Sequence, residues 1–293
     1  MVHELLKEKR ADRRWKNIRF VVWFALIASL IIGMVAYLNK SSSTAFDGKY
    51  AALIRLDGMI APGRDFSAEV LVPILEEAFK DKNAEGIVID INSPGGTPVQ
   101  ASIIHDAIIT FKKKYHKKVI IVGEDLLTSG AYFVAVAGDK IYVNPSTLTG
   151  SVGVIMKGFG FVDLIKKIGV ERRVYISGNN KDRLDPFLPQ LPEDVKKIQQ
   201  VMDEVHQNFS QAVLEGRKGK LHADPSILFT GDFWSGQTAL KLGLVDGLGN
   251  LMQVMDKEFK TVKYKEYEVN NNFMRLLGGQ LGSTFDSMVY GYG

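Results

Sequence analysis

The chain has 293 residues, 46% hydrophobic and 24% charged, the balance of a folded protein and not of a disordered one. Its formal charge of +4 sits in residues 1–19, with seven basic residues against three acids; the remainder holds thirty of each, which argues against a nucleic-acid-binding domain. The absence of cysteine excludes disulfides, thiol catalysis, cysteine–zinc sites and cysteine lipidation.

After the basic segment 1–19, Phe20 to Leu38 forms an uncharged, mostly apolar run of 19 residues. As a helix it would be about 28 Å long, matching a hydrocarbon core of ~30 Å. The basic cluster before it predicts a cytoplasmic N-terminus, with residues 40–293 on the far side of the membrane. A cleaved signal peptide fits less well, because the run exceeds the usual ~7–15 apolar residues and no A-x-A-like site follows. The expected location is the bacterial inner membrane, single-pass, with the main domain periplasmic.

Residues 39–48 are small and polar and read as a linker to a domain over 49–269. In that domain Tyr50–Leu56 reads as a strand, Ala68–Lys80 as a helix, Gly86–Ile91 as a buried strand and Val99–Phe111 as a helix. Lys118–Val122 is a further strand, Ser129–Val136 a helical turn, and Ile141–Val143, Val152–Ile155 and Arg173–Ile176 are strand candidates. A long helix is expected over 192–218, with shorter ones near 236–242 and 249–260. Strands alternating with helices predict an α/β fold with a mainly parallel sheet. The segment 270–293 reads as a tail with an amphipathic piece around Phe273–Met288.

Four short segments could carry chemistry. Asn92-Ser93-Pro94-Gly95-Gly96 follows a strand, and its glycines allow a bare backbone amide to face a developing oxyanion, although a simple turn would look the same. Leu127-Thr128-Ser129-Gly130-Ala131-Tyr132 puts a serine at a helix start, where capping is the ordinary role. Lys181, in Ser177-Gly178-Asn179-Asn180-Lys181-Asp182, could act as a base if burial lowers its pKa; most such lysines are solvated charges. Ser151, in Leu148-Thr149-Gly150-Ser151-Val152-Gly153-Val154, could accept a hydrogen bond from a neutral lysine.

In this order and spacing the segments NSPGG, LTSGAYFVAVAGDKIY and TLTGSVGV, with the lysine of SGNNKD, resemble the signal peptide peptidase A family in its short, membrane-anchored form. The resemblance covers roughly residues 50–260, with 52 positions from the serine to the lysine. LTSGAY departs from the family's more usual A-S-G-G-Y, and Thr97 stands in place of a third glycine. Neither change removes a needed group.

The resemblance implies a crotonase/Clp-protease-like fold of repeated β-β-α units and a Ser–Lys dyad. Ser129 would be the nucleophile, Lys181 the general base, the N–H groups of Gly96 and Gly130 the oxyanion hole, and Ser151 the lysine-orienting hydroxyl. It further implies cleavage of remnant signal peptides at or in the membrane, and a homo-oligomeric ring that completes the dyad across subunits. This chemistry needs no metal, nucleotide or other cofactor. His3, His105, His116, His206 and His222 all lie outside glycine-flanked loops near the motifs, so none is the expected base. The rival readings are an acyl-CoA enzyme of the crotonase type and a catalytically inactive membrane scaffold that holds peptides.

Overall fold

The structure, a computed structural model, describes Trp15, residues 17–33 and residues 48–268. The chain divides into two units, Met1–Gly48 and Lys49–Gly293. In the first, residues 17–33 are helical. Among the described residues no helix is long and apolar enough to cross a membrane. This differs from the expected helix over 20–38, whose last five residues lie outside the described ones, as does the expected amphipathic piece of the tail.

The second unit is built on a mainly parallel sheet. Strands β1 (Tyr50–Asp57), β2 (Ala84–Ser93) and β3 (Lys118–Thr128) alternate with helices α1 (Ala68–Lys80) and α2 (Pro98–Tyr115). Helix α3 (Gly130–Ala135) then leads to β4 (Lys140–Val143) and β5 (Leu148–Gly150). Beyond them lie α4 (Val162–Lys167), α5 (Pro192–Gly216), α6 (Pro225–Leu228), β6 (Phe233–Ser235), α7 (Gly236–Leu242), β7 (Gly247–Leu248), α8 (Leu251–Phe259) and β8 (Tyr264–Glu266). The sheet order is β6-β5-β3-β2-β1-β8, with β4 also pairing β3 and β7 also pairing β4. Only the β5–β6 pairing is antiparallel among the described strands.

The continuous apolar run of β2 is explained by its central place. Ile87, Val88, Ile89 and Ile91 are fully buried, as a strand covered on both faces requires. One face packs Leu53, Val88, Ile120, Val122 and Tyr142 against Val254 and Met255 of α8.

Two strand expectations are corrected. Val152–Ile155 is not a strand; the strand lies four residues earlier as β5. There the Thr149 hydroxyl donates to the Leu127 carbonyl, and the ladder to β3 ends at Gly150. Arg173–Ile176 is also irregular. No described strand offers it an edge, and Tyr175 is 92% exposed. Conversely, β3 runs on past Val122 to Thr128. It splits its edge, pairing β4 through Ile120–Gly123 and β5 through Leu126–Thr128.

Candidate active site

Three of the chain's glycine-rich segments meet where β2, β3 and β5 end. The turn after β2 is set by the Ser93 hydroxyl, which accepts from the Gly95 N–H at 3.1 Å. Gly95 then accepts at its carbonyl from the Ile60 N–H, and the Ile60 carbonyl accepts from the Thr97 N–H, both at 2.9 Å. Gly96 sits between these two bonds. A Cβ there would stand 1.9 Å from the Ile60 oxygen, so only glycine fits.

The turn rests directly on the end of β3. A Cβ on Gly95 would meet the Gly130 amide nitrogen and the Ser129 Cβ, each at 2.7 Å. One on Gly130 would stand 3.2 Å from the Gly96 amide nitrogen. The Gly96 and Gly130 amides therefore lie side by side. Among the described residues neither N–H donates a hydrogen bond.

Ser129 occupies φ 53°, ψ −126°, a region L-residues rarely adopt. Its N–H donates to the Gly150 carbonyl at 2.9 Å, and its own carbonyl accepts from the Phe133 N–H. Its hydroxyl makes no capping bond to α3. The ordinary reading of a serine at a helix start is thus not what the backbone builds. Ser129 is half-buried at the head of α3, held there by bonds through its backbone.

Ser151 is brought to the same place by β5. Thr128 and Gly150 are partners across the β3–β5 ladder, so Ser129 and Ser151 each stand one residue beyond a paired position. Ser151 also has positive φ, 52°, and its N–H donates to the Asp232 carbonyl at 2.8 Å. Trp234 closes the back: a Cβ on Gly150 would strike its ring at 2.7 Å. Sequence reasoning missed Ile60, Asp232 and Trp234. All three act through backbone or shape, and none bears a motif; only the glycines they press on could have pointed to them.

Lys181 lies beside Arg172, Val174, Ile176 and the segment 182–187, none of them a residue of this cluster. It is exposed, on a turn in which its N–H donates to the Gly178 carbonyl at 3.1 Å. Among the described residues no hydrogen bond or ion pair joins its side chain to Ser129 or Ser151. Its neighbours are arranged by charge pairs: Arg183 with Asp194 at 2.6 Å and Arg172 with Asp185 at 2.7 Å. Phe187 stacks on Phe161, which orders the loop without burying it.

Residues 111–265 match the family model described as Peptidase family S49, a stretch that includes Ser129, Ser151 and Lys181 and begins after Gly96. The chain is 45% identical over 212 residues to a Brucella melitensis protein named Na(+)/H(+) antiporter NhaA, covering 71% of this chain and 29% of that protein. A Synechocystis sp. protein with a provisional protease name is 34% identical over 206 residues, 69% of this chain and 70% of its own. An Arabidopsis thaliana protein named serine protease SPPA, chloroplastic, is 27% identical over 213 residues, 70% of this chain and 31% of its own. The chain thus spans less than a third of the Brucella relative, and the antiporter name belongs to that longer protein.

Proposed function

The chain belongs to peptidase family S49, and on that premise we propose that it is a membrane-anchored serine endopeptidase using Ser129 and Lys181. The observation that carries the reading is Ser129 itself: a strained, uncapped serine beside two unengaged amides. A backbone held in such a region costs about 1–3 kcal/mol, which a merely structural serine would not need.

In the proposed mechanism the Lys181 amine, in its neutral form, takes the proton of the Ser129 hydroxyl. The serine oxygen attacks the scissile carbonyl carbon, and the Gly96 and Gly130 N–H groups hold the oxyanion. Lys181 then gives its proton to the leaving amine. In the second half it takes a proton from water, whose oxygen attacks the acyl carbon, and returns that proton to the departing Ser129 oxygen. Ser151 orients the lysine. A lysine can serve this way only when desolvation or a neighbouring cation lowers its pKa. Its exposure in the lone chain supports pairing across subunits, in which a neighbouring copy covers it.

The substrates are remnant signal peptides or other membrane-associated peptides, bound as an added strand. The basic segment and the apolar run before the domain support the anchor; within the described helix Phe20, Trp23 and Leu30 are exposed apolar side chains. A crotonase/Clp-like fold is proposed with the same reading. A catalytically inactive peptide-holding scaffold is favoured by one observation, the lack of any contact between the Lys181 and Ser129 side chains among the described residues. Labelling of the full-length chain with a fluorophosphonate decides between them. We expect modification of Ser129, lost in Lys181→Ala and not restored in Lys181→Arg, since arginine keeps its proton. No labelling of the wild-type chain, with peptides still bound, would favour the scaffold.

A further inference from the structure

The connections that lead from helices into strands gather at one end of the parallel sheet, opposite Gly95 and Ser129. Tyr50 pairs with Ala84, Gly86 with Lys118, Ile120 with Lys140 and Ala51 with Tyr264, so the strands start together. Side chains tie the connections to one another. Lys117 donates to the Asp81 carbonyl, Lys112 reaches Asp139 at 2.7 Å, and Lys118 and Lys140 share Glu258.

This end is strongly basic. Lys49 and the segments 80–85, 112–118, 139–140 and 256–265 hold thirteen lysines against five acids, a formal +8. Residues 49–268 hold twenty-eight basic and twenty-eight acidic residues, so everything else in the domain carries −8. Helix macrodipoles account for lysines in last turns, such as Lys80, Lys113 and Lys257. They do not account for Lys49, Lys82, Lys118 or Lys263, which lie beyond the helix ends. Lys82, Lys113, Lys260 and Lys263 are exposed, and among the described residues none pairs with a carboxylate. Between the last two, Val262 is 48% exposed.

We infer that this end of the domain is a docking face for the anionic headgroups of a phospholipid bilayer; the inference rests on the membrane-anchored reading given above. The chain enters the domain at Tyr50, on this same face. Only eleven residues separate Tyr50 from Leu38, the last of the apolar run. A short tether keeps the face at high effective concentration near the lipid, and each unpaired lysine adds attraction that salt screens within about 10 Å. The acidic remainder is repelled, so the domain is oriented as well as held. Gly95, Ser129 and Ser151 lie at the other strand ends, about 30 Å away along the eleven residues of β3. Docking therefore lifts the site above the headgroups and presents it to peptide that has already left the hydrocarbon.

The test uses the full-length chain in vesicles of phosphatidylcholine alone or with phosphatidylglycerol. Lysines are acylated with a water-soluble reagent and read by mass spectrometry. Labelling of Lys82, Lys113, Lys260 and Lys263 should fall about threefold or more with the anionic lipid and recover in high salt, while Lys196 and Lys197 stay unchanged. Flotation with both vesicles but equal labelling would overturn the docking face alone. Failure to float with either would overturn the anchor and the docking face with it. Protection by duplex DNA but not by anionic lipid would overturn it in favour of a nucleic-acid surface.

Discussion

Ser129 and Asp90 are residues whose states the sequence hides. In the sequence Ser129 is an N-cap type of residue; its positive φ and missing capping bond emerge only when β5 and the glycine turn press on it. Ser129→Ala should therefore abolish peptidase activity and change stability by less than about 0.5 kcal/mol. Ser129→Gly should also be inactive, yet more stable than the alanine variant by roughly 1 kcal/mol, because glycine accepts the strained backbone. Denaturant midpoints check both; a large loss in the alanine variant would mean that the hydroxyl caps after all. Asp90 interrupts the buried run of β2, and its Oδ1 has no hydrogen-bond partner. Burial and the nearby Glu124 push it up to about 7, although the Arg55 guanidinium at 2.7 Å opposes this; Asp57 adds to the push. A carboxyl raised in the fold favours the native state most below its ordinary 3.8, and that contribution is lost as pH rises through about 7. Asp90→Asn should thus gain stability relative to the parent as pH rises from 3.8 to about 7, and hold that gain above it. Parallel pH profiles for the two proteins would reject the assignment.

At the scale of elements, the pattern of apolar residues was a good guide wherever it was long. Helix α1 spans Ala68–Lys80 and α7 Gly236–Leu242, as periodicity and flanking residues predict. It failed where tertiary partners decide. Val152–Ile155 has the composition of a strand, but the neighbouring edge of β3 ends opposite Gly150. The turn NSPGG was legible as a site because two adjacent glycines suggest a close backbone approach. What approaches was not legible, since Ile60 lies 36 positions earlier in an irregular stretch and bridges Gly96 through backbone alone. Gly96→Ala tests this element. The added carbon would need to displace the Ile60 carbonyl from 1.9 Å, at a cost of about 3 kcal/mol. The shift would also move the Gly96 N–H away from the oxyanion, lowering kcat by about 100-fold or more. A folded Gly96→Ala protein with wild-type kcat would remove this amide from the mechanism.

For the whole molecule, net charge and net hydropathy conceal how each is distributed. The domain sums to zero charge yet is divided into a basic end and an acidic remainder, a division that depends on which loops the topology gathers. Apolar residues are divided as sharply. Residues 153–208 contain no buried residue, although they include Ile155, Phe159, Ile168 and Tyr175. Such a stretch needs cover, and Lys181 lies within it. Large apolar side chains exposed together in this way commonly mark an interaction surface. On the proposed dyad a second copy is the expected cover, since it would also desolvate Lys181 and bring it towards a Ser129. The consequence can be measured by complementation. Ser129→Ala and Lys181→Ala chains, each inactive alone, are co-expressed with different tags and purified through both. In a closed ring with random order, about a quarter of the subunit boundaries would join an intact serine to an intact lysine. Activity should return to about that fraction of wild type. A doubly tagged oligomer without activity would show that the lysine does not act across subunits. A monomer by light scattering that is fully active would show that it never needs to.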